Sequence, residues 1–153
     1  MLGRTHVVFG FVLGLLLFTF FDLHPLLFVI ITAFISLLPD VDQPNSKLGR
    51  RVKIFSKPFS FLFGHRTYTH SIFAMGVLAV LIWRFFDGYF IPFLIGYFGH
   101  LVLDAVTKQG VVFTYPFQFL RIRGLIKTGG VTENVFFGAL ILSAGYLIFT
   151  FFS

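Results

Sequence analysis

The sequence contains no cysteine and only six acidic residues. The absence of cysteine excludes disulfides and thiolate metal ligands. The chain also has no Walker loop, no GxSxG elbow and no HExxH pair. These absences exclude the common templates for nucleotide binding, serine hydrolysis and zinc-dependent proteolysis. Because charged residues make up only 12% of the chain, each remaining acid is a candidate for a specific role.

Apolar residues are in large excess. The chain is 57% hydrophobic with 25 phenylalanines, and its mean hydropathy is +0.91. A soluble domain of this size leaves roughly a third of its chain surface in water, so the bilayer is the natural solvent for this excess. The length favours a single domain, residues 1–153.

Five apolar runs predict an all-α fold, a polytopic membrane helical bundle with about five transmembrane or membrane-embedded helices. The first run follows a basic residue, as in a signal peptide, but no small-residue cleavage site follows it, and we expect a retained helix. The runs are Val7–Phe21, Pro25–Pro39, Ser71–Phe86, Tyr89–Val106 and Val135–Phe152.

The basic residues predict the orientation. Apart from Arg84, they precede the first run or lie in the two long linkers, namely Arg4, Lys47, Arg50, Arg51, Lys53, Lys57, Arg66, Lys108, Arg121, Arg123 and Lys127. By the positive-inside rule, the N terminus and both linkers are cytoplasmic, which predicts a multi-pass protein of the cell (inner) membrane. An anionic leaflet accounts for the net charge of +6, so no nucleic-acid partner is expected. Ile54–Phe63 and Val111–Leu125 mix apolar and basic residues and are predicted to be interfacial.

Eight ionisable residues fall at the predicted cytoplasmic ends of the runs. Ionisable side chains at membrane depth are costly and tend to mark function. Imidazole and carboxylate without thiolate suit zinc, manganese or iron. Eight candidate ligands exceed the three of a mononuclear catalytic zinc site, so we predict two or more divalent ions, preferably zinc. The candidates are His6, Asp40, Asp42, His65, His70, His100, Asp104 and Glu133.

His100 and Asp104 form the sharpest pair. Their i, i+4 spacing places both side chains on one helical face, within reach of one cation. The alternative is a buried hydrogen bond that braces two helices. Asp40 and Asp42 follow Pro39, which is expected to end a helix and to fix an extended exit with both carboxylates on one side. The alternative is a solvated helix end.

Thr5 and Thr69 are each predicted to cap a helix with the following histidine in its first turn. His65 and Arg66 precede Thr69, and Arg66 is a candidate phosphate clamp or a contact to anionic lipid. Glu133 is a candidate ligand, although acids also favour helix N-termini for electrostatic reasons. We assign catalytic roles to Asp42, Arg66 and Glu133.

These residues together resemble the YdjM-like family of inner-membrane, metal-dependent hydrolases. The matching stretches are Thr5-His6, LLPDVD at 37–42, GHRTYTHS at 64–71, GYFGHLVLDAVTKQGV at 96–111, YPF at 115–117 and Glu133. The resemblance implies a distant similarity to zinc-dependent phospholipase C and single-strand nucleases, helical proteins that cleave phosphodiesters with a His/Asp/Glu-bound zinc cluster. This chain departs from those enzymes, which use a mature N-terminal amine as a ligand and a histidine before the acid of the final helix.

Three functions fit these observations. The leading hypothesis is a metal-dependent phosphohydrolase acting on a lipid or membrane-associated substrate at the cytoplasmic face, with Arg66, Lys108 or Arg121 holding the phosphate. A transporter or metal-handling protein would need polar residues that continue to the outer side. A noncatalytic anchor for a cytoplasmic partner would leave the ionisable cluster unexplained. Oligomeric state is not predicted.

Overall fold

The computed structural model describes residues 1–42, 68–117 and 119–153, and gives only the backbone of Asp42 and Phe152. Five α-helices account for most of the described chain. They are α1 (Gly3–Leu17), α2 (Pro25–Ile35), α3 (Ile72–Phe85), α4 (Phe90–Ala105) and α5 (Val131–Phe152). Each helix overlaps one of the five predicted apolar runs, so a mostly helical fold is confirmed for this part of the chain.

Three of the helical segments are long and apolar enough to cross a bilayer. They cover Gly3–Phe20, Asp87–Ala105 and Val131–Phe151, with 18, 19 and 21 residues. Helices α2 and α3 have only 11 and 14 residues, which is shorter than the ~20 residues of an ideal span. That all five helices cross the membrane therefore stays a prediction.

Close backbone approach holds the bundle together around α1 and α4. Helix α1 packs against α2, α4 and α5, and α4 packs against α1, α2 and α3. A Cβ at Gly14 would lie 2.8 Å from Val29 Cα, and one at Gly96 would lie 2.5 Å from the Thr32 carbonyl oxygen. Small residues at such crossings let helices approach closely, which is how helices gain packing energy in a membrane.

A short 3-10 turn, Leu38–Asp42, follows α2. This corrects the prediction of an extended segment after Pro39. Helix α2 ends at Ile35, before the proline, and the Asp40 amide donates to the Leu37 carbonyl oxygen at 3.2 Å. In a 3-10 helix residues i and i+3 eclipse, so residues two apart do not share a side.

Neither predicted threonine cap forms. Ser71 caps α3 by accepting a hydrogen bond from the Ala74 amide at 3.1 Å. Helix α1 begins at Gly3, after the N-cap position of Leu2, so Thr5 lies inside its first turn. Both threonine hydroxyls instead serve the functional site.

Residues 106–130, called the strap below, connect α4 to α5 across one end of the bundle. The strap contains an antiparallel pair of two-residue strands, β1 (Val111–Val112) and β2 (Arg121–Ile122). The Lys108 amide donates to the Ile126 carbonyl oxygen at 2.9 Å. A Cβ at Gly124 would lie 2.0 Å from the Val106 carbonyl oxygen, so glycine is required at this crossing. The predicted interfacial segment 111–125 is thus a hydrogen-bonded hairpin in its described part, while Ile54–Phe63 lies outside the described residues.

Candidate metal centre

Four buried side chains converge where α2, α3 and α4 meet the strap. Asp40 comes from the 3-10 turn after α2, His70 from the turn before α3, and His100 and Asp104 from the last two turns of α4. His70, His100 and Asp104 are completely buried, and Asp40 is nearly so. One ligand atom from each residue lies within 4.8 Å of the other three. The predicted pairing of His100 with Asp104 on one helical face is confirmed.

The spacing of these atoms suits one cation. The two Nε2 atoms of His70 and His100 are 3.1 Å apart. His70 Nε2 lies 3.6 Å from Asp104 Oδ2 and 3.7 Å from Asp40 Oδ1, and His100 Nε2 lies 3.7 and 3.9 Å from the same oxygens. Tetrahedral zinc with bonds of about 2.0 Å separates its ligand atoms by about 3.3 Å. The four atoms therefore need only small shifts to surround a zinc-sized ion.

In both imidazoles the Nδ1 atom, which faces away from the cluster, contacts a neighbouring oxygen. His100 Nδ1 lies 2.7 Å from the Ser36 carbonyl oxygen, which can only accept, so Nδ1 carries the proton and the Nε2 lone pair is free for a cation. His70 Nδ1 lies 3.1 Å from the Thr69 hydroxyl oxygen. Such bonds to the second nitrogen fix the ring orientation of metal-bound histidines.

Asp104 also faces a second group. Its Oδ1 atom lies 3.2 Å from His6 Nε2 and contacts the main-chain nitrogen of Met1. The His6 ring is completely buried and stacks on the His100 ring, with centroids 3.9 Å apart. Within the described part of the chain His6 Nδ1 makes no hydrogen bond. The Asp104 carboxylate thus lies between the four-residue cluster and His6.

Glu133 accepts three hydrogen bonds. Its Oε1 atom accepts from the Leu2 amide at 2.6 Å and from the Thr5 hydroxyl at 2.7 Å. Its Oε2 atom accepts from the Gly129 amide at 2.6 Å. These bonds tie the first turn of α1, which carries His6, to the start of α5. Its predicted roles as a ligand and a catalytic group stay predictions.

The remaining predicted site residues lie outside the described part of the chain. His65 and Arg66 belong to the undescribed linker, and the side chain of Asp42 is not described. The structure therefore brings together His6, Asp40, His70, His100 and Asp104, with Glu133 attached to them through the first turn of α1.

The charge of the cluster favours a bound cation. Two carboxylates within 4.8 Å of each other are costly in a buried site unless protons or a cation balance them. Burial opposes ionisation of Asp40, but the close contact with His70 and the nearby imidazoles of His100 and His6 outweigh this effect and lower its pKa to about 2. Asp40 is therefore an anion at neutral pH, as a metal ligand must be.

Sequence reasoning missed two residues that support the site. The Ser36 hydroxyl shares its hydrogen between the Ala33 carbonyl oxygen at 2.6 Å and the His6 carbonyl oxygen at 2.9 Å, while its own carbonyl oxygen holds His100. The buried Tyr97 donates its hydroxyl hydrogen to the Thr69 carbonyl oxygen, next to His70. The available signal was their spacing from the predicted ligands, since Ser36 lies one turn before Asp40 and Tyr97 lies three residues before His100.

Comparison with known proteins supplies the family. The model of the YdjM inner membrane protein family matches residues 1–153. The chain belongs to this family. The membrane residence that composition predicted is thereby confirmed at the level of the YdjM family, whereas the cytoplasmic orientation of the site stays a prediction.

Two groups of relatives are similar in sequence to this chain. The uncharacterized protein YvsG of Bacillus subtilis (strain 168) is 32% identical over 160 residues, covering 99% of this chain and 97% of that protein. The inner membrane proteins YdjM of Escherichia coli (strain K12) and of Shigella flexneri are each 41% identical over 87 residues, covering 52% of this chain and 44% of theirs. No solved structure matches the chain, so the similarity to phospholipase C and nucleases stays an expectation.

Proposed function

We propose that this YdjM-family protein is a membrane-bound, metal-dependent hydrolase that cleaves a phosphoester of a lipid or membrane-associated substrate. The observation that carries the proposal is the buried cluster of Asp40, His70, His100 and Asp104, whose ligand atoms lie within 4.8 Å of one another. A divalent cation held there supplies a Lewis acid for a phosphoryl oxygen and lowers the pKa of a water molecule.

The distribution of buried polar groups favours a hydrolase over a transporter. In the described ranges, all buried ionisable side chains lie at the strap end of the bundle, as do most buried hydroxyls. The deepest buried hydroxyl, that of Thr32, donates to the Phe28 carbonyl oxygen of its own helix at 2.8 Å. His24 and Asp87 are exposed at the opposite end. Passage of an ion needs polar partners along its whole path, and the described residues provide them only at one end.

Asp104 supports a centre with two cations. Its two carboxylate oxygens face different imidazoles, with Oδ2 toward His70 and His100 and Oδ1 toward His6. One cation held by the four-residue cluster and a second held by His6 would share this carboxylate. Paired metal sites are typical of enzymes that cleave phosphoesters.

The charge around the centre favours a phosphate substrate. Lys108 and Arg121 belong to the strap, and both are exposed at the end of the bundle that carries the cluster. Guanidinium and ammonium groups bind phosphate oxygens through charge-assisted hydrogen bonds. Arg66 remains a candidate for the same role in the undescribed linker.

The test begins with metal content. The protein is purified in detergent without chelators, and bound metals are counted by elemental analysis for the unmutated chain, His100→Ala and Asp104→Asn. His24→Ala is the matched control, because this histidine is exposed at the other end of the bundle. We expect stoichiometric metal in the unmutated protein and the control, and its loss in both cluster variants.

Activity is then measured on phospholipids and on soluble phosphate mono- and diesters. The proposal predicts hydrolysis that disappears on chelation and in His100→Ala but not in His24→Ala. An unmutated protein without bound metal would contradict the centre itself. Metal without hydrolysis, together with metal uptake into vesicles, would support the transport alternative.

A further inference from the structure

The strap carries large apolar side chains on its surface. Phe117, Phe119 and Leu125 are 67%, 74% and 87% exposed. Exposed apolar side chains of this size in one short segment mark an interaction site in soluble proteins. Strand pairing and the Lys108–Ile126 hydrogen bond join the two arms of the strap, so these exposures belong to a folded segment.

This apolar surface continues the surface of helix α3. The Ile72 amide, at the first residue of α3, donates to the Phe113 carbonyl oxygen at 2.9 Å. The Phe117 ring packs edge to face on the exposed Phe73 ring in the first turn of α3, with centroids 5.6 Å apart. Phe119 lies next to Phe117, with centroids 6.4 Å apart. The aromatic tip of the strap therefore lies at the depth where α3 begins.

All charged side chains of the strap are basic. Lys108, Arg121, Arg123 and Lys127 are all exposed, and the sequence has no acid between Asp104 and Glu133. A segment that exposes both basic and aromatic side chains matches the two layers of a membrane interface, the anionic phosphates and the acyl chains.

We propose that the strap is a binding surface for anionic lipids of the leaflet at the metal-centre end. Phe117, Phe119 and Leu125 insert at the boundary between headgroups and acyl chains, and the four basic side chains bind lipid phosphates. The proposal stands independently of any hydrolytic activity, because it rests on the strap alone. If the metal centre acts on a lipid, the strap also enriches anionic headgroups beside it.

The test uses tryptophan fluorescence, since Trp83 is the only tryptophan in the chain. In a Trp83→Phe background, Phe119→Trp and Leu125→Trp report on the strap. Leu142→Trp, on the exposed face of α5, reports on ordinary lipid contact. Each protein is reconstituted in vesicles in which either phosphatidylglycerol or phosphatidylcholine carries bromine on its acyl chain, at equal mole fractions of the two lipids.

We expect brominated lipid to quench both strap reporters. Basic side chains near the membrane surface attract anionic headgroups, so we expect brominated phosphatidylglycerol to quench the strap reporters several times more strongly than brominated phosphatidylcholine. The Leu142→Trp reporter shows no such preference. Replacing Lys108, Arg121, Arg123 and Lys127 by glutamine reduces the preference at the strap to the level of this control.

Absence of quenching at both strap reporters would overturn the proposal, and so would equal quenching by the two lipids. Protection of the reporters that increases with the protein-to-lipid ratio would overturn it as well, because a second copy of the chain would then cover the strap.

Discussion

His100 Nδ1 and the Ser36 carbonyl oxygen are joined by a hydrogen bond of 2.7 Å. This bond sets the tautomer of His100 and leaves Nε2 directed at the candidate metal. The Ser36 hydroxyl lies 2.6 Å from the Ala33 carbonyl oxygen and 2.9 Å from the His6 carbonyl oxygen and shares its one hydrogen between them, so a single residue at the end of α2 contacts one histidine from α4 and the backbone of another from α1.

Replacing the Ser36 side chain separates these two contacts. Ser36→Ala removes the hydroxyl bonds to Ala33 of its own helix and to His6 of α1 but keeps the carbonyl that holds His100. We expect a loss of about 1 kcal/mol in the free energy of unfolding, the net value of one hydrogen bond, with unchanged metal stoichiometry. Ser143→Ala is the control, because its hydroxyl bonds only to Ala139 of its own helix on an exposed face. Denaturant unfolding in detergent measures both variants, and equal stability loss in the two would contradict the role of Ser36.

Tyr97 is expected to position His70 through the Thr69 backbone. Tyr97→Phe keeps the aromatic packing but loses the hydrogen bond to the Thr69 carbonyl oxygen. Removing supporting bonds around metal ligands typically weakens metal affinity by about tenfold or more, and we expect a change of that size in the Kd for zinc by competition with a chelating dye. Tyr146→Phe, at an exposed position on α5, serves as the control. Unchanged affinity in Tyr97→Phe would show that the position of His70 does not depend on this bond.

The sequence predicted the helices and most of the cluster for a simple physical reason. Apolar runs must become helices in a bilayer, and ionisable residues are rare enough in this chain that their grouping was visible. The contacts of Ser36, Tyr97 and Thr5 were not predicted, because they are made to backbone atoms or to residues far apart in sequence. The capping prediction at Thr69 was wrong because Ser71, two residues later, offers the same hydroxyl, and only the start of α3 decides between them. The hairpin in the strap could not be predicted from strands of two residues.

Close packing between α2 and α4 gives a prediction about Gly96. In Gly96→Ala the new methyl carbon would lie 2.5 Å from the Thr32 carbonyl oxygen and 3.0 Å from Ile35 Cβ, which forces the two helices apart beside Ser36. Overpacking of this kind costs about 1–3 kcal/mol, and we expect weaker metal binding along with the lower free energy of unfolding. Gly138→Ala is the control, since a Cβ there meets no atom within 4 Å, and alanine favours a helix by up to about 1 kcal/mol. Similar stability of the two variants would show that α2 and α4 can separate freely.

A substitution at Glu133 distinguishes a metal ligand from a residue that only positions the site. In Glu133→Gln one carboxylate oxygen is replaced by an amide NH2 group, which donates and cannot accept. Either the Leu2 amide or the Gly129 amide therefore loses its acceptor. Hydrogen bonds to a charged group contribute about 1.5–3 kcal/mol, so we expect a loss of stability in this range. At least one cation per chain should remain, because the four-residue cluster is intact. Asn134→Ala removes an exposed hydrogen bond with Arg4 and should change little. Loss of all bound metal in Glu133→Gln would instead assign Glu133 to the ligand set.

The absence of cysteine makes the orientation directly measurable. Lys127→Cys places one thiol in the exposed part of the strap, and Asp87→Cys places one in the exposed turn at the opposite end of the bundle. The positive-inside rule puts the strap in the cytoplasm. A membrane-impermeant maleimide should therefore label Asp87→Cys in intact cells, and Lys127→Cys only after the membrane is permeabilised. The cysteine-free chain gives the background of the assay. The reverse pattern would place the metal centre on the outer face, and a substrate would then have to be sought among lipids and phosphoesters on that side.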